Sequence, residues 1–444
     1  MTNFKLDSFL LPAVVSSPVE TNDEEPIAVS VDGRDVAGCG RHAAVPPCRT
    51  LAAALANAAD GQRIRLNATS GATGNDVADW LCGGDPLVIR RSVTIEGVRP
   101  ATPVGCDWSR AASGTVAGSR LLMFNITGPT VPIAPIPVGA FAAFAAVLAT
   151  GNGSEKTNNN NNNGTSARAW PTPMRVGFRY LTLVGALILA ANGHVELTDC
   201  TLVDSHVRTV NTSAAVRVDV RRTTFRGRTV DACTINCTTS SELQAGGVDI
   251  YVDVSASHFH HSRLHVYARR YADVRVDGCT FDDVDNDDGD SAAIRYLGGV
   301  DVTVTNDAAP SSVRVRRTVF ARLRHNHPVM SVMNILDASI LVRMKKKDVT
   351  VSNFTVVVDG CRFADGERGM TFVGAFRYVN VSNSRFEGHV AMHAGAALLY
   401  LSSVSSPSFV VNCTFENNAA GFFRPRQLDD HVDSFQVIGL RREA

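Results

Sequence analysis

Apolar residues recur at every second position in short runs along much of this chain, and eight of the runs share one frame. At Val274 to Phe281 the frame reads VRVDGCTF: two valines around a polar position, a polar bend, a small residue, one more residue, then an anchoring phenylalanine. The other copies end at Leu202, Phe225, Phe259, Phe320, Phe363, Phe386 and Phe415, and the eight anchors stand 23, 34, 22, 39, 43, 23 and 29 residues apart. A period with a floor near 22 residues and insertions above it predicts a solenoid.

The alternation turns one face of each run toward a core and the other toward water, which is the pattern of a strand. Coils stacked at about 4.8 Å, each with such a strand, line up like residues in columns. Beside the anchors there is a small-residue column of Cys200, Thr223, Ser257, Cys279, Thr318, Cys361, Ser384 and Cys413. The outward column reads Glu196, Asp219, Asp253, Arg275, Arg314, Val357, Asn380 and Phe409. Ahead of the repeats, Thr50 is placed to cap a short helix carrying Leu51, Ala54, Leu55 and Ala58 on one face, and Gly61 ends it. Ile64 to Leu66, Leu87 to Ile89 and Val93 to Ile95 read as the first strands.

These features resemble the right-handed parallel β-helix proteins of the pectin-lyase-like class and, more loosely, the repeats of polymorphic outer-membrane proteins. The Phe-x-x-Asn tetrad of the latter survives at Phe415 to Asn418, and its glycine pair at Gly246-Gly247 and Gly298-Gly299. The resemblance implies an all-β fold, a single right-handed parallel β-helix solenoid with a short N-terminal capping helix that covers an open sheet edge. Residues 1–26 then read as a disordered lead, 27–66 as the N-terminal strand and capping helix, and 67–440 as the β-helix. Residues 128–173, with six prolines and the run Asn158 to Asn163, form a low-complexity insertion, and 441–444 a tail. No cap follows the last strand-like piece, Ser434 to Leu440, so that end reads as unfinished.

Charge balances at 43 basic and 43 acidic residues, which gives no bulk attraction to nucleic acid or an anionic membrane. No apolar run reaches the roughly 18 residues of a spanning helix. Nine Asn-x-Ser/Thr sequons, at Asn67, Asn125, Asn152, Asn163, Asn211, Asn236, Asn353, Asn380 and Asn412, exceed expectation for 26 asparagines and favour a secreted, glycosylated surface. The first twenty residues offer only Phe9 to Val15, broken by Pro12, as a leader core, so a secretory signal would be atypical or lie upstream. Six of the ten cysteines are spaced for disulfides, with Cys39 beside Cys48, Cys82 beside Cys106, and Cys233 beside Cys237. The four ladder cysteines are never on neighbouring rungs and read as buried free thiols.

Several clusters invite chemistry. Asp282 to Asp290 is rich in carboxylates but lacks the glycine and glutamate of a calcium loop, so it reads as a solvated loop. His258, His260, His261 and His265 cluster around the inward Phe259 and read as outward surface residues, with zinc as the ion such a cluster would take. Arg343 with Lys345 to Lys347 reads as a solvated basic loop. Glu196, Asp219, Asp253 and Arg275 converge on rigid strands and form the best candidate ligand site, with Glu196, Asp219 and Asp253 as the set for Ca²⁺. No complete catalytic motif of the pectin-cleaving hydrolases or lyases is present. The expected function is therefore that of a non-enzymatic extracellular or cell-surface protein, adhesin-like, binding carbohydrate or protein along its side. A polysaccharide lyase or hydrolase acting on acidic polysaccharide is the alternative, and no cofactor beyond Ca²⁺ is implied.

Overall fold

The frame folds as two strands and a corner. In the computed structural model, Val274 and Val276 lie in the strand Tyr271–Asp277, Gly278 and Cys279 turn the chain, and Phe281 centres the strand Thr280–Asp282. The structure describes residues 25–30, 32–67, 87–97, 102–105, 122–126, 174–190, 193–209, 215–227, 234–238, 249–268, 271–282, 299–305, 310–322, 340–344, 353–366, 369–391, 397–404, 408–420 and 435–438. Successive first strands pair parallel and in register, so Val195, Val218, Val252, Val274, Val313, Val356 and Val379 make one buried row. They belong to sheet A, of 12 strands; the anchor strands form sheet C, of 10; a third set forms sheet B, of 11. The chain runs from A to C to B and back to A, each circuit pairing with the one before. This is an all-β parallel β-helix solenoid, and its one helix among the described residues is Leu51–Asn57.

The corner from A to C sets the register. Its first residue is left-handed in every copy: Asp199, Arg222, Ala256, Arg317, Asn383 and Asn412 at φ between 47° and 53°, Gly278 at 61° and Gly360 at 62°. A non-glycine residue costs about 1–2 kcal/mol there. The second residue offsets that cost, because its small hydroxyl donates to the carbonyl two residues back: Thr223 to Arg221 at 3.0 Å, and Ser257 to Ser255, Thr318 to Arg316 and Ser384 to Ser382 at 2.8 Å. The same oxygen accepts a backbone N–H from the preceding rung, Thr223 N to Ser257 Oγ and Cys361 N to Ser384 Oγ, both at 3.1 Å. One side chain thus closes its own corner and ties it to its neighbour.

Cysteine serves the same role with a thiol. Cys200 Sγ donates to Phe178 O at 3.3 Å and Thr198 O at 3.4 Å. Cys200, Cys279 and Cys361 are buried free thiols, pushed by burial up to about 11, 11 and 12, and Cys413 is free but half-buried. Beyond the corner the anchors stack: ring centroids from Phe225 through Phe259, Phe281, Phe320, Phe363 and Phe386 to Phe415 are 4.4 to 5.1 Å apart, with planes within 11° of parallel. That spacing is the rung spacing itself, so register and ring stacking reinforce each other.

A second corner, from C to B, follows two residues after the anchor in the described copies. Asp204, His261, Arg322, Asp365 and Asn417 are left-handed there, as are Gly185 and Gly388. The next residue repeats the device of the first corner: Ser205 Oγ donates to Leu183 O at 3.0 Å and accepts from Ala186 N at 2.9 Å. Asn418 does the same with its amide, donating to Phe386 O at 2.9 Å and accepting from His389 N at 3.1 Å. The Phe415 to Asn418 tetrad is this corner.

At the N-terminal end, Ile27–Val29 is the edge strand of sheet A, and Leu51, Ala54 and Ala58 share its core. Thr50 caps the helix, accepting from Ala53 N at 3.2 Å, while Asp35 accepts from Thr50 N at 2.9 Å and Thr50 Oγ1 at 3.0 Å. Cys39 and Cys48 form a disulfide, with Cα atoms 4.9 Å apart. Cys237 does not follow the expected pairing. It points into the core from the strand Thr234–Thr238, opposite Val266, as a free thiol pushed up to about 12 by burial. Cys82, Cys106 and Cys233 lie outside the described residues, as do residues 1–24, 128–173 and 441–444.

The anchor column yields a test. Phe281→Ala removes a fully buried ring from the middle of the stack and lowers unfolding free energy by about 3–5 kcal/mol, whereas Arg275→Ala, on the exposed face, costs less than about 1. Chemical denaturation of the two variants measures both; equal small losses would mean that the rings are not stacked.

Candidate functional site

The outer face of sheet A carries three columns of side chains. The central one pairs Glu196 with Asp219, Asp219 with Asp253, Asp253 with Arg275, and Arg275 with Arg314, in the expected order. On the N-terminal side of each strand a second column reads Arg175, His194, Arg217, Tyr251, Asp273 and Ser312. Arg179, Thr198, Arg221, Ser255, Asp277 and Arg316 form the third. All of these follow from the period-two alternation extended two residues either way.

Most of the charged groups pair with one another, across rungs or along one strand. Glu196 Oε2 lies 2.5 Å from Arg175 Nη2 and 3.8 Å from Arg179 Nη2. Asp219 lies 2.9 Å from both His194 Nε2 and Arg217 Nε. Burial raises the pKa of Asp219, but the hydrogen bonds from His194 and Arg217 outweigh it and hold the carboxyl below its ordinary range. Arg275 is drawn to Asp273 at 2.8 Å, and Asp273 also accepts from Ser312 Oγ at 2.5 Å.

Asp253 is the exception. It is half-buried and has no hydrogen-bond or ion-pair partner among the described residues. Burial, and then the charge of Asp219 on the next rung, push its pKa above the ordinary value, although Arg275, Arg221 and Arg217 pull the other way. Carboxylates about 5 Å apart repel by about 0.8 kcal/mol in water and about 3 kcal/mol at an effective dielectric of 20. Tyr251 precedes Asp253 by one outward position, and its ring stands 5.2 Å from that of Tyr271, tilted by 52°. The patch thus joins a free carboxylate, a bound one, a guanidinium and two aromatic rings on rigid strands.

The calcium set of Glu196, Asp219 and Asp253 is not what the geometry assembles. Glu196 and Asp219 are held by guanidinium and imidazole groups, which leaves one uncommitted carboxylate where a hard cation needs several oxygens. No three His, Cys, Asp or Glu side chains among the described residues are drawn together as metal ligands. His194, Arg217, Tyr251 and Tyr271 precede the repeated frame, so its columns do not include them.

Of the sequons, Asn353 and Asn412 are exposed, and Asn67, Asn236 and Asn380 are half-buried. Asn412 Nδ2 donates to Asn383 Oδ1 at 2.7 Å. Asn125 lies on the strand Leu122–Ile126, and Asn152, Asn163 and Asn211 lie outside the described residues. Of the acidic run only Asp282 is described; Arg343 is on the strand Ile340–Met344, and Lys345 to Lys347 fall outside. No helix among the described residues is long and apolar enough to cross a membrane. Comparison with known families, characterised proteins and solved structures found no match to this chain.

The two neighbouring carboxylates should respond oppositely to removal of charge. A raised pKa in the folded state makes ionised Asp253 destabilising above the unfolded value of 3.8, so Asp253→Asn raises the melting temperature at pH 7, and the gain vanishes below about pH 4. Asp219 has a lowered pKa and contributes stability above 3.8 that is lost as pH falls, so Asp219→Asn lowers the melting temperature at pH 7. Melting curves from pH 3 to 8 check both signs; losses of equal size in the two variants would contradict the asymmetry.

Proposed function

We propose that this chain is an extracellular or cell-surface β-helix protein that binds carbohydrate along the outer face of sheet A, adhesin-like, at the patch of Asp219, Asp253, Arg275, Tyr251 and Tyr271. The carrying observation is Asp253, a half-buried carboxylate left without a partner on a face whose other acids are paired. A fold does not keep a destabilising group on a rigid strand for its own benefit, and perturbed groups concentrate at functional sites. Tyrosine rings supply flat apolar surface for sugar faces, while the carboxylates and guanidinium take hydroxyl and acidic groups. The sequon excess and the Cys39–Cys48 disulfide support an extracellular setting.

A glycan array followed by calorimetry on the best ligand tests this. Binding should weaken by roughly 10-fold or more in Asp253→Asn and in Arg275→Ala, the loss expected of a charged hydrogen bond. An array without hits, or affinity unchanged in both variants, would remove the site from consideration. The raised pKa of Asp253 beside ionised Asp219 favours one further reading, a polysaccharide lyase or hydrolase that uses Asp253 for proton transfer. Release of reducing ends from uronic-acid polymers, abolished in Asp253→Asn, separates that reading from binding alone.

A further inference from the structure

On a different face, sheet C presents His258 and His260 outward from the strand His258–His260, on either side of the buried Phe259. Asp282 stands opposite His260 on the next rung. Its carboxylate lies between the two rings, Oδ2 at 3.0 Å from His258 Nε2 and Oδ1 at 3.0 Å from His260 Nδ1. The side chains are 45%, 32% and 20% exposed respectively, so solvent and ions reach all three. We propose that His258, His260 and Asp282 form a mononuclear site for a divalent transition-metal ion of the zinc class.

Two neutral imidazoles and one carboxylate are a common ligand set for Zn²⁺, and three protein ligands leave coordination open to water or substrate. Unlike Glu196 and Asp219, these three groups are bonded to one another and to no guanidinium in the pairs described, while the His260 ring also stacks on that of His261, with centroids 4.5 Å apart. They are not drawn together as metal ligands as they stand. The shortfall is small. The ring centroids are 6.4 Å apart, against about 5 Å for two imidazoles sharing a tetrahedral ion at 2.0–2.1 Å. Alternate outward residues of a strand are about 7 Å apart and rungs about 4.8 Å, so side-chain rotation closes the gap without moving the backbone. The stacked Phe259 and Phe281, with centroids 4.4 Å apart, hold the two strands while it does so. Arg226, opposite His260 on the preceding rung, is exposed and free to turn into solvent.

Zn²⁺ titrated by calorimetry into the full-length chain, with Co²⁺ absorption as a second readout, tests the site. The expected result is one ion per chain and a tetrahedral Co²⁺ spectrum, with affinity lowered roughly 10-fold or more in each of His258→Gln, His260→Gln and Asp282→Asn. His194→Gln and His265→Gln, which alter single His–Asp pairs elsewhere, should bind as the parent does. All five positions face outward, and circular dichroism confirms that the variants fold. No stoichiometric binding by the parent, or equal binding by the parent and all three site variants, would overturn the proposal, as would equal loss in the two control variants.

Discussion

Everything else in this molecule depends on the two-residue corner between sheets A and C. It turns the chain sharply at a left-handed residue, a conformation that most side chains resist, and it is held by a hydroxyl or thiol that bonds both within its own rung and to the preceding one. Insertion of a residue here would break that bond and shift the following anchor out of the phenylalanine stack. No described copy contains one. The stretches of variable length fall instead after the anchors or before sheet A, as at residues 283–298 and 239–248.

That constraint explains what was legible in the sequence. The frame from Val274 to Phe281 crosses the fixed corner, so its columns of valine, small residue and phenylalanine keep constant spacing in the sequence and correspond to the observed register. Sheet B was not legible in the same way, because its strands follow insertions of unequal length and carry no common anchor. The second corner was legible only at Asn418; elsewhere serine, histidine, glycine or alanine fills the same position. The pairing of Cys237 failed for a related reason, since sequence proximity to Cys233 hid the alternation that turns its thiol inward.

The candidate site was half legible. The outward column follows from the frame, but whether a carboxylate is free depends on its neighbours two residues along and one rung away. Arg175 and Arg217 pair with Glu196 and Asp219, and His194 hydrogen-bonds Asp219, while the equivalent neighbour of Asp253 is a tyrosine. A column of like charges is therefore a poor guide until the flanking columns are in register. Once they are, attention moves from a calcium ladder to one unpaired carboxylate beside aromatic rings.

The central claim is that each rung depends on its neighbours through this repeated corner, and excision of one whole coil tests it most directly. Thr355 pairs with Tyr378, so removing the 23 residues Thr355 to Arg377 joins Phe354 to Tyr378 and leaves every column continuous. The shortened chain should still unfold in one cooperative transition, with a strand signal per residue like that of the parent. Removing only Thr355 to Ala364, which takes the strands of A and C but leaves that of B, should abolish the transition. Loss of cooperative folding after the whole-coil excision, or equal tolerance of both deletions, would contradict the account.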